Sequence, residues 1–81
     1  MKPGVVRQLA AERSIAELEV AVAVLSDGAP APVWVDGTDD GERLTHVLLA
    51  VRIRRRIDDG MDPKEAFRTE MTGVRAVLQN E

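Results

Sequence analysis

Glu42 and His46 stand four residues apart in the stretch GERLTHVLLAVRIRRRIDD, the run Gly41–Asp59. On a helix that spacing turns a carboxylate and an imidazole to the same side. Such a pair could work as an acid–base couple or as half of a metal site. A metal needs three or four protein ligands, and the remainder would have to come from Asp36, Asp39 or Asp40, or from a second subunit. The alternative is structural: Glu42 accepts a hydrogen bond from His46, or His46 edges the apolar stripe of Leu49, Ala50 and Ile53. The structural reading is preferred, so no metal and no cofactor is assigned.

The second chemical feature is a charge run, Arg52, Arg54, Arg55 and Arg56. These side chains could contact phosphates. Arg54 and Arg55, however, precede Asp58 and Asp59 by four residues, which allows pairing within one helix. Arginine near a helix C-terminus is also favoured by the dipole alone. In a chain of net charge −3, an internally paired or solvated run is preferred and nucleic acid is disfavoured. The acidic clusters 38–41 and 58–62 lack the ligand register of a calcium loop and read as helix caps. No nucleophile-plus-base set, P-loop or dinucleotide fingerprint is present, and the protein is expected not to be an enzyme.

The elements that carry these residues follow from apolar spacing and cap chemistry. A short helix is predicted from Val5 to Glu12. Ser14 and Glu17, three apart ahead of an apolar run, form a capping box and start a second helix, Ile15 to Ser26, closed by Gly28. Ala29–Gly37 (APAPVWVDG) has no helical reading. Its prolines favour extended geometry, and Val33-Trp34-Val35 has strand propensity but is too short to form a sheet alone. Thr38, Asp39 and Asp40 are N-cap candidates for a long central helix that runs to Asp58 or Asp59 and is closed by Gly60. Asp62 and Pro63 then start a last helix with the stripe Phe67, Met71, Val74, Leu78. Gly73 within it suggests a close helix contact. The expected fold is all-α, one helical domain over 1–81: two short N-terminal helices, a long central one and a C-terminal one, with a short extended Pro/Trp segment between the second and third.

An element order of strand-like PVWV, helix, glycine-bearing turn and helix is also that of a ribbon-helix-helix DNA-binding regulator. In that fold polar side chains of a paired ribbon read the major groove, and Val33, Trp34 and Val35 are poor readers of bases. This is the alternative.

Along Asp39–Val47 the chain resembles a family of short, uncharacterised bacterial proteins with an acidic stretch running into a G-E-x-L-T-H motif and an apolar helix. The resemblance extends over most of the chain and implies no established activity. It gives Glu42, Thr45 and His46 standing as a candidate polar site. It further implies an accessory part in thiol-dependent peroxide handling, although a chain without cysteine performs no thiol chemistry itself.

A chain of 81 residues buries only about 60–65% of its unfolded surface. Disulfides are excluded, and aromatic content is 2%, from Trp34 and Phe67, so the core must be aliphatic. Val47-Leu48-Leu49-Ala50-Val51 is apolar on every side and calls for cover from several directions. A homo-oligomer, with a dimer favoured, is therefore expected, and a further protein partner with it. Val33, Trp34, Val35, Leu48, Leu49 and Ile53 are its candidate interface residues. No apolar run is long enough to span a bilayer and no signal peptide is recognisable, so the expected location is the cytoplasm, with no membrane partner.

Overall fold

The computed structural model describes the backbone of residues 1–79 and the side chains of residues 1–74. Four helices are present: α1 (Pro3–Glu12), α2 (Ile15–Ser26), α3 (Asp40–Asp58) and α4 (Pro63–Gln79). The all-α expectation holds, and the described residues contain no strand.

Local chemistry sets each boundary. Pro3 occupies the first turn of α1, where a missing amide proton costs nothing. At Ser14 the capping box closes in both directions. The Glu17 N–H donates to Ser14 Oγ at 3.2 Å, and the Ser14 N–H donates to Glu17 Oε1 at 3.1 Å. Asp39 caps α3 by accepting the Glu42 N–H at 2.7 Å, and Asp62 accepts the Lys64 N–H at 3.0 Å ahead of Pro63.

The two helix ends at glycine are alike. Gly28 (φ 75°) and Gly60 (φ 105°) take the left-handed conformation, which glycine adopts without a Cβ penalty. Each turn ends in paired bonds, Ala29 N–H to Val24 O and Gly28 N–H to Leu25 O after α2, Met61 N–H to Arg56 O and Gly60 N–H to Ile57 O after α3. That is the Schellman arrangement.

α3 is the helix against which α1, α2 and α4 all pack. Val6 and Leu9 of α1, Leu18 and Ala21 of α2, Val47 and Ile53 of α3 and Ala66 of α4 form the buried centre. Each large aliphatic side chain covered in this way contributes about 1.5–3 kcal/mol.

Three expectations are corrected. Within the Pro/Trp segment, Pro32–Val35 closes a turn where an extended run was expected at Val33-Trp34-Val35: the Val35 N–H donates to Pro32 O at 3.0 Å. The turn leaves Val33 at its tip, fully exposed, and sends Val35 into the core. Trp34 is half-buried with the Arg13 guanidinium 4.4 Å from its ring centroid. Val35 and Ile53 are thus core residues of the protomer, at 4% and 1% exposure, and do not offer an interface. Gly73 makes no close contact with the described residues either, since a Cβ placed there meets none of them within 4 Å. Leu78 lies outside the residues whose side chains are described.

Candidate functional site

His46 sits in the second turn of α3, at 0% exposure. Its Nε2 lies 2.9 Å from the backbone N of Lys2, and its Nδ1 lies 2.9 Å from the carbonyl oxygen of Asp36. A backbone amide only donates, so Nε2 must accept. Nδ1 then carries the ring proton and donates to Asp36. The imidazole is neutral and both nitrogens are occupied by main-chain partners. Such an arrangement fixes the chain ahead of α1 and the loop ahead of α3 to one buried ring.

Glu42 does not meet His46. Its carboxylate accepts the Thr38 N–H at 2.9 Å and the Thr38 hydroxyl at 3.3 Å, and pairs with the Met1 ammonium at 3.2 Å. The Thr38 amide foremost, then the ammonium, pushes the carboxyl pKa down to about 2. Thr45 donates its hydroxyl to Gly41 O at 3.0 Å, a bond made within the helix. The residues offered by the G-E-x-L-T-H stretch are thus brought to one end of α3, but as a clasp of separate structural bonds. Among the described residues no group of three potential metal ligands converges.

The clasp has a pH consequence. A carboxyl whose folded pKa is below its unfolded value stabilises the fold above the unfolded value, near 4.5, and loses that contribution as pH falls toward the folded one. Glu17, lowered chiefly by the Ser14 N–H, acts in the same direction. Urea unfolding at pH 5 and at pH 2.5 should show stability falling with acid, and Glu42→Gln should flatten that fall.

The arginine run is absorbed by ion pairs. Arg54 reaches Asp58 at 3.0 Å, as its spacing predicts, and also donates to Ala10 O at 3.2 Å. Arg55 does not pair with Asp59. It crosses to Glu19 of α2 at 3.2 Å. Arg52 and Arg56, one turn apart, both hold Glu70 of α4, Arg56 at 2.9 Å. Glu70 is 5% exposed and escaped the sequence reading. The available signal was its place on the face shared by Ala66, Phe67 and Val74, where an acid needs a partner.

A different surface emerges beside this network. Leu48 of α3 is 45% exposed and stands between two shallow grooves that it lines in common with Arg52. One, of about 480 Å³, adds Glu19, Val22 and Ala23 of α2 with Val51 and Arg55. The other, of about 430 Å³, adds Met1, Thr45, Leu49 and Val74. Val51 itself is covered and Leu49 is half-buried, so within the apolar belt Leu48 is the residue left open. No helix among the described residues is long and apolar enough to cross a membrane.

The profile of DUF6952, a family of unknown function, matches residues 1–79. The chain belongs to this family. No curated protein and no solved structure matches the chain. An uncharacterised family is what the sequence resembles, and DUF6952 is one. In this DUF6952 chain the polar constellation at Glu42, Thr45 and His46 is taken up by main-chain and terminal partners, and the open chemistry is the apolar surface at Leu48.

Proposed function

We propose that this DUF6952 protein is a non-enzymatic association module that pairs with a second copy of itself through the Leu48 face. The observation that carries the reading is the exposure of Leu48 between two grooves lined mainly by Val22, Ala23, Leu49, Val51 and Val74. A two-fold interface must be self-complementary. The rim of this face carries both signs of charge, Glu19 beside Arg52 and Arg55, so each protomer brings an acid and bases to the same contact. The Glu19–Arg55 pair is more than half exposed on both sides and can be exchanged between protomers. Leu48 is already about half covered in the protomer, so burying the rest contributes about 1 kcal/mol from each copy.

A non-enzymatic role is supported by the engagement of His46 and Glu42 in structural bonds. The DNA-binding alternative finds no comparable support, since Arg52, Arg54, Arg55 and Arg56 all face carboxylates.

The test is sedimentation of wild type and Leu48→Asp over micromolar concentrations. Because Leu48 is open in the protomer, the variant should keep its helical fold while its dimer dissociation constant rises about 100-fold or more. A wild type that stays monomeric throughout, or a variant that associates equally well, would contradict the reading.

A further inference from the structure

Of the lysines and arginines whose side chains are described, Arg13, Arg43, Arg52, Arg54, Arg55 and Arg56 each hold a carboxylate. Lys2, Arg7, Lys64 and Arg68 make no ion pair among the described residues. All but Lys2 line a single cleft of about 500 Å³ between α1 and α4, with Phe67, Met71 and Thr72. Among the described residues no carboxylate lines that cleft. In a chain with more acids than bases, leaving these three cations together is unfavourable unless something offsets it. Lys64 and Arg68 are, moreover, like charges four apart on one helix, a spacing that repels.

The rest of the cleft narrows the chemistry. The Arg7 guanidinium lies 4.4 Å from the centroid of the Phe67 ring, so it is held in place by a cation–π contact while its N–H edge stays free to donate. A planar donor fork beside a lysine point charge suits a phosphoryl group, which offers several oxygens and up to two charges. The volume exceeds that of a bare phosphate, and Met71 with the edge of Phe67 supplies apolar wall for an organic portion. Thr72 donates its hydroxyl to Arg68 O at 2.8 Å, which leaves the three cations as the donors of the cleft.

We propose that the Arg7–Lys64–Arg68 cleft binds a small phosphate ester, its phosphoryl group among the three cations and its organic part against Phe67 and Met71. The cleft shares no lining residue with the Leu48 grooves and does not depend on dimerisation.

The test is an NMR titration of the full-length chain with phenyl phosphate, inorganic phosphate and sodium chloride at matched ionic strength. Saturable shifts should centre on the amides of Arg7, Lys64, Phe67 and Arg68, with phenyl phosphate binding more tightly than inorganic phosphate. Arg68→Glu should weaken phenyl phosphate at least tenfold. Lys64→Gln, a milder change read in the same way, should weaken it severalfold, and Arg43→Gln, outside the cleft, should not. The proposal is overturned if shifts fail to saturate, if chloride reproduces them, or if folded Arg68→Glu and Lys64→Gln proteins bind as wild type does.

Discussion

Replacing His46 by alanine should cost about 3 kcal/mol of stability. Two losses add. The imidazole is fully covered, so its removal leaves a cavity that the surrounding helices fill only in part. The Lys2 N–H and the Asp36 carbonyl also lose their partner, at about 1–3 kcal/mol for each group that water does not reach. Against a total of about 4–12 kcal/mol for a chain of this size, that is a large share. His46→Gln, which can both accept and donate, should recover part of it. Urea denaturation at neutral pH measures both. A His46→Ala midpoint equal to that of wild type would show that the ring is not what holds the chain ahead of α1 and the loop together.

Stripping Glu70 of its partners should have an effect of similar size. Arg52 and Arg56 are 66% and 39% exposed, whereas Glu70 is 5% exposed. Removing both arginines leaves a covered carboxylate without a counter-charge, and the double variant Arg52→Ala with Arg56→Ala should lose about 3 kcal/mol. Each single variant should lose much less, because the remaining arginine still pairs, so the two changes will not add. Introducing Glu70→Met into the double variant should return most of the loss, since the buried charge is then gone. Thermal unfolding of the four variants decides the point. Equal and additive single losses would mean that the arginines stabilise α3 by themselves and not through Glu70.

These two sites differ in how far they could be read beforehand. Boundaries made by short-range chemistry were legible: the Ser14–Glu17 box, Asp39 as one of three neighbouring cap candidates, Asp62 as a cap, and Gly28 and Gly60 as helix stops. Each depends on residues no more than a turn or so apart. Partners brought by tertiary packing were not. Arg55 had Asp59 one turn away but pairs with Glu19, 36 positions distant. His46 is satisfied by two main-chain groups, 44 and 10 positions away, and a main-chain partner leaves no mark in residue identity. At Val33-Trp34-Val35 the β propensity was real, but the Pro32 carbonyl closes a turn that overrides it.

The apolar belt of α3 was legible in kind and misjudged in extent. Val47, Ala50 and Val51 are covered within one protomer because α1, α2 and α4 reach α3 from three sides. What remains open is narrower, Leu48 with the neighbouring surface of α2 at Val22 and Ala23. The case for association thus passes from the whole belt to one residue and its two grooves.

Because the chain contains no cysteine, a single thiol reports its own neighbourhood cleanly. Leu48→Cys and Val33→Cys can be oxidised side by side at micromolar concentration and compared on a non-reducing gel. Pairing through the Leu48 face predicts rapid, near-complete disulfide dimer for Leu48→Cys and slow, concentration-driven dimer for Val33→Cys, whose side chain sits on an exposed turn. Equal, slow cross-linking of the two would contradict the association surface assigned to this protein.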